Sequence, residues 1–200
     1  LTTDEFKKNV TQRLETARDP RFKRPYTELV YQPMLELLSY LRANGFKTYI
    51  VSGGGTDFMR PCAEKTYGNP PEQVIGSTDK LKFAIDKEGH VQLIKQGVIS
   101  FIDDDDNEPV AINHYIGRVP VLAFGNSDGD LPMLQYVSSA AGPNLALYLH
   151  HDDAGREYAY DRKSSFGKLD KGLDEAAKKG WPVVSMKLDW KTVFPEPQAK

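Results

Sequence analysis

The sequence predicts an α/β protein with a mostly parallel sheet and a small β-hairpin insertion. Three observations predict it. An apolar helical face at Met34, Leu37, Leu38 and Leu41 is followed by a strand-like run, three glycines and a second helical stretch. A later apolar run, Val119 to Phe124, enters Gly125-Asn-Ser-Asp-Gly-Asp130 and then another helix. Between them Phe83, Ile85, Val91 and Leu93 flank Gly89 at period two, the pattern of an antiparallel hairpin.

Composition sets the bounds. Two hundred residues, 40% hydrophobic and 10% aromatic, are enough to bury a core and too apolar for wholesale disorder. Twenty-six Lys and Arg against 28 Asp and Glu give a formal charge of -2, so no global field attracts nucleic acid or anionic lipid. A single cysteine, Cys62, excludes an intrachain disulfide and reads as a small buried apolar residue. No apolar run reaches the roughly 18 residues that span a bilayer, and the first residues are polar. A soluble chain is expected, cytoplasmic or periplasmic after removal of a signal.

The elements follow in order. Thr2 and Glu5 have capping-box spacing, with Phe6, Val10 and Leu14 at helical intervals, so a helix opens the chain and ends near Asp19-Pro20. The helix over Met34 to Leu41 stops at Asn44-Gly45. Phe46 to Ser52 reads as a buried strand, Gly53 to Gly55 as a loop, and Thr56 to Tyr67 as a helix. A short strand is expected at Gln73 to Ile75, the hairpin insertion over 80–106, and a helix from Pro109 to Gly117. Strands at 119–124, 144–149 and 183–186 complete the pattern, with a helix from Leu131 and another carrying Leu169, Leu173 and Ala176. The tail from Pro195 to Lys200 reads as frayed. There are no repeats and no internal linker, so residues 1–200 read as one domain.

In open parallel sheets, ligands bind beyond the carboxyl ends of the strands. Ser52 follows the first strand beside glycines whose amides could cradle an anion; the alternative is a tight turn with Ser52 as a helix cap. Asn126, Asp128 and Asp130 place three oxygen donors within five residues, a spacing that suits Mg²⁺; the alternative is an Asp-Gly turn with Asp130 as a cap. His150-His151-Asp152-Asp153 could hold a transition metal, but neighbours on a strand point to opposite sides, which favours a salt-bridged helix start. Asp103 to Asp106 reads as a solvated acidic loop.

Ser52 with its glycines, and Gly125-Asn-Ser-Asp-Gly-Asp-Leu-Pro-Met-Leu134, resemble motifs II and IV of the haloacid dehalogenase (HAD) superfamily. Tyr26-Thr-Glu-Leu-Val-Tyr-Gln-Pro33 and His150 to Arg162 look like its phosphoserine-phosphatase-like bacterial branch. The resemblance implies a three-layer Rossmann-like core with residues 1–30 as a remnant of a helical cap region. It also implies phosphate contacts from Ser52, Gly53 and Gly54, and a Mg²⁺ or other divalent cation at Asn126, Asp128 and Asp130. Ser52, Asp128 and Asp130 are then the candidate catalytic residues.

Two departures stand beside this match. No strand ending in Asp-x-Asp-x-Thr or Val precedes residue 46, although the family's nucleophile lies on such a strand. Where the family carries a lysine, just before Pro109, this chain carries Glu108. The first strand is therefore expected to be missing or rearranged. Either the 46–52 and 119–124 strands pair directly, or a segment from elsewhere or from a second copy fills the gap, which would make a homodimer. Two functions stay open. One is a metal-dependent phosphoric ester hydrolase acting on a small phosphorylated substrate, truncated or with altered machinery. The other is an inactive domain that binds a ligand or protein partner.

Overall fold

The structure, a computed structural model, describes residues 1–197. Of the expected frayed tail, Gln198, Ala199 and Lys200 lie outside the described residues. The fold is α/β and Rossmann-like: three of its four strand pairings are parallel, and seven α-helices lie among the described residues. Where the sequence suggested one domain, the chain divides into two compact units. The first is Leu1–Asp103 with the segment that begins at Phe194; the second is Asp104–Val193.

The first unit opens with α1 (Thr3–Thr16), whose capping box is formed as expected: Glu5 N donates to Thr2 Oγ1 at 3.1 Å and Thr2 N to Glu5 Oε2 at 2.9 Å. A 3-10 turn at Tyr26–Glu28 precedes α2 (Gln32–Ala43), which stops at Gly45 with a φ of +82°. Strand β1 (Ile50–Gly55) starts later than its apolar run, because the Thr48 carbonyl accepts from the buried Asn69 side chain at 2.6 Å. It also runs through the three glycines expected to form a loop, and α3 (Thr56–Tyr67) follows directly.

Strand β2 (Val74–Ile85) merges the short 73–75 strand with the first arm of the hairpin: its start lies parallel to β1, and its remainder pairs antiparallel with β3 (Val91–Phe101). Glycine is required at position 76, where a Cβ would lie 2.4 Å from the Gly54 carbonyl and 2.6 Å from Met59 Cε. The hairpin turn is closed by Asp86, whose Oδ1 accepts from the Glu88 and His90 amides.

The second unit starts with α4 (Asn107–Ile116), ended by Gly117 as expected. Strand β4 (Leu122–Gly125) is shorter than Val119 to Phe124; Pro120 lacks an N–H for a ladder. A 3-10 turn, Asp128–Asp130, leads into α5 (Leu131–Ser138). Strand β5 (Leu145–His150) lies between β4 and β6 (Val183–Ser185), parallel to both. Helix α6 (Lys171–Lys179) connects them, and α7 (Met186–Asp189) begins where β6 was expected to continue, because Ser185 Oγ accepts from Leu188 N. Ile112, Leu134, Val137, Tyr148, Leu169 and Met186 are fully buried in this unit.

Each unit carries a sheet of its own. Strand β1 pairs with β2, β4 pairs with β5, and each is the edge strand of its own three-stranded sheet. The helix expected after His150 is corrected. Residues 151–160 form turns, because Asp153 Oδ1 accepts from both the Gly155 and Arg156 amides. Among the described residues, no helix is long and apolar enough to cross a membrane.

Candidate functional site

In the first unit, Ser52 lies on β1 and does not cap α3, whose N-cap is Gly55 and which has no side-chain cap. Ser52 Oγ instead accepts from Gly54 N at 3.1 Å. Among the described residues the hydroxyl proton donates to no protein group, so it is available to an anion. The Gly53 carbonyl accepts from Ser77 Oγ at 2.8 Å, and that same oxygen accepts from Asp103 N at 3.0 Å.

Beside this strand end opens a cavity of about 320 Å³, lined by Gly53, Gly55, Phe58 and Ser77 and by a charged triplet. Lys95 Nζ lies 2.6 Å from both Asp57 Oδ2 and Asp79 Oδ2, and 4.3 Å from the Phe6 ring centroid. Burial works against the lysine's charge, but the two carboxylates outweigh it and hold the pKa above its ordinary value. No spacing along the chain marks this triplet, whose members are 22 and 16 residues apart and meet only through the hairpin.

In the second unit, the loop after β4 folds around the carboxylate of Asp130. Its Oδ2 accepts from Asn126 N at 2.8 Å, Ser127 N at 2.7 Å and Ser127 Oγ at 3.1 Å. Burial pushes the Asp130 pKa up, against the pull of these amides, and the neighbouring charge of Asp104 adds to the rise. Asp130 Oδ1 accepts no hydrogen bond among the described residues.

Asn126 is exposed, and its side-chain Nδ2 lies 3.1 Å from His151 Nε2. His151 Nδ1 in turn lies 3.2 Å from Glu157 Oε2. Asn126 Oδ1, like Asp130 Oδ1, accepts no hydrogen bond among the described residues. Asn126 and Asp130, two of the three expected ligand residues, thus each keep one hard oxygen clear of hydrogen bonds among the described residues, a donor set that fits Mg²⁺.

Asp128 likewise keeps its Oδ2 clear of hydrogen bonds among the described residues. Its Oδ1 accepts from Asp170 N at 2.8 Å and Gly172 N at 2.9 Å, so it holds the amino end of α6. Its own amide donates to the Lys168 carbonyl at 2.8 Å. Glu108 is buried in the first turn of α4. It joins Asp130, Asp128 and Glu175 in raising the pKa of the buried Tyr148, where burial is the largest cause.

The His150 to Arg162 stretch is a brace. Asp152 accepts from Ser185 Oγ at 2.5 Å and from Lys187 N at 2.9 Å. Arg156 donates to the carbonyls of Met186, Lys187, Trp190 and Lys191. His150 Nε2 is 3.6 Å from Asp161 Oδ1. Among the described residues, the three donors close enough to share one ion are Asp86, Glu88 and His90 at the hairpin turn, where Asp86 is engaged in closing that turn.

No curated protein matches the chain. Among solved structures, it is similar to a phosphoserine phosphohydrolase-like protein from Francisella tularensis subsp. tularensis SCHU S4, at 16% identity and a TM-score of 0.39. That match covers 80% of this chain and 58% of the other, so the chain spans less than two thirds of that protein's length. The family model of the haloacid dehalogenase-like hydrolases matches residues 2–135, which include Ser52 and the whole Asn126 to Asp130 loop. The chain therefore belongs to the haloacid dehalogenase-like hydrolase family.

Proposed function

We propose that the chain hydrolyses the phosphate ester of a small substrate with the help of a hard divalent cation, Mg²⁺ or similar, held by Asn126 and Asp130. The observation that carries this reading is the pair of oxygens, Asn126 Oδ1 and Asp130 Oδ1, that stay clear of protein donors while the rest of each side chain is held. A bound cation would supply positive charge to offset that of a phosphoryl group. Ser52, Gly53 and Gly54 of the first unit are proposed separately as the phosphate contacts that the family resemblance implies, with the Ser52 hydroxyl as donor. Asp128 anchors the loop to α6 through Oδ1, which leaves its Oδ2 to the cation.

In this reading the attacking oxygen belongs to water. A second reading, a ligand-binding module without turnover, is favoured by Glu108, which puts a buried carboxylate where the family carries a lysine.

One set of assays separates them. With Mg²⁺ and a panel of small phosphate monoesters, wild type and Lys178→Ala should release phosphate alike, and Asp130→Asn should lose turnover by orders of magnitude. Equal rates for Asp130→Asn and wild type would overturn the reading. Phosphate binding without turnover in any preparation would favour the second reading. A phosphoryl group trapped on an aspartate after acid quench would replace water by a carboxylate nucleophile.

A further inference from the structure

We infer that Glu157, acting through His151, is a positioning residue that fixes the side-chain amide of Asn126 with its oxygen toward the cation. The inference rests on the cation reading above, and deepens it by assigning a role to the His151–Glu157 pair.

The argument is one of proton placement. Glu157 is an acceptor, and it faces His151 Nδ1 at 3.2 Å, so the proton of a neutral imidazole belongs on Nδ1. Nε2 is then an acceptor. The group 3.1 Å from it must be a donor, and the amide of Asn126 therefore turns its Nδ2 to the ring and its Oδ1 away. An amide in the other orientation would present N–H protons to a cation and repel it.

The ring itself is held on several sides. His151 is 2% exposed and Glu157 6%. The Tyr160 ring meets the imidazole edge-on at 5.2 Å, and Tyr160 N donates to the His151 carbonyl at 2.9 Å. Glu157 is fixed by its own amide, which donates to the Asp153 carbonyl at 2.9 Å. An exposed asparagine would otherwise sample both amide orientations. The buried His-Glu pair selects one.

Two readouts test this on the full chain. Long-range ¹H–¹⁵N spectra should show the His151 ring protonated at Nδ1 in wild type and in Glu157→Gln, whose carbonyl still accepts, and not in Glu157→Leu. Mn²⁺ titration should show Glu157→Gln near wild type and Glu157→Leu weaker by about 10- to 100-fold. In an Asn126→Asp background the Glu157→Leu loss should vanish, since a carboxylate presents an oxygen either way. Should Glu157→Leu fail to fold, His151→Phe carries the same expectation in both backgrounds.

A wild-type ring protonated at Nε2 would overturn the inference. So would Mn²⁺ affinity unchanged by Glu157→Leu, or an equal loss in the Asn126→Asp background, which would mark a merely structural role. A wild-type chain with the Nδ1 proton in place but no Mn²⁺ binding would sink the cation reading alone, since the ring proton alone decides how the amide is held.

Discussion

Gly125 and Asp130 approach so closely that a methyl group at position 125 would lie 2.5 Å from Asp130 Cβ, 2.9 Å from its carboxyl carbon and 3.0 Å from Leu134 Cδ1. The glycine ending β4 is therefore what lets the carboxylate fold back over the Asn126 and Ser127 amides. Gly125→Ala should destabilise the chain by about 1–3 kcal/mol and weaken Mn²⁺ binding. Gly55→Ala, where the nearest atom is 4.0 Å away, is the control and should change neither. Urea melts and Mn²⁺ titrations of both variants check this; wild-type behaviour of Gly125→Ala would contradict the packing.

Tyr148 offers a test of opposite sign. Its hydroxyl is buried with no hydrogen-bond partner among the described residues, and it packs on Gly172, where a Cβ would meet it at 2.8 Å. Tyr148→Phe keeps the ring and removes an unsatisfied polar group, so it should stabilise the protein by about 1 kcal/mol. A loss of stability in thermal melts would show that the hydroxyl has a partner, such as an ordered water.

The acid limb of stability should depend on Asp152. Burial tends to raise its pKa, but the bonds from Ser185 and Lys187 outweigh burial and hold it below the usual carboxylate range. A carboxyl whose folded pKa is depressed stabilises the fold above its unfolded pKa, about 3.9. That stabilisation is lost as pH falls through the folded value. Urea denaturation between neutral pH and strong acid should show a shallower acid-side decline for Asp152→Asn than for wild type. Parallel curves would remove Asp152 from the account.

A second copy of the chain should cover the exposed face of the hairpin. Phe83 pairs across the strands with Leu93, and Ile85 with Val91. Phe83, Ile85 and Val91 are 60%, 59% and 65% exposed, a contiguous apolar face of the kind that marks interaction sites. Sedimentation at micromolar concentration should show a homodimer, and Phe83→Lys with Val91→Lys should return a monomer. A monomeric wild type would refute it.

What the sequence determined by itself is local. The Thr2–Glu5 capping box, the glycine stops at 45 and 117, the start of α3 at Thr56 and the Asn126 to Asp130 loop are set by residues within a few positions of one another, so spacing reveals them. The family motifs are equally local, which is why their resemblance was visible before any fold.

What only the tertiary structure decided is where long-range partners compete for the same atoms. Asn69, 21 residues away, takes the Thr48 carbonyl and shortens β1. Asp128, within the ligand-like loop, turns to α6 because the amides of Asp170 and Gly172, more than 40 residues on, are brought beside it. His151, 25 residues from Asn126, meets its amide because β4 and β5 lie side by side and in parallel, so that their carboxyl ends emerge together. Hydrogen bonds are made by whichever groups the fold brings within about 3 Å, and spacing along the chain does not carry that information once the chain has crossed from one strand to the next.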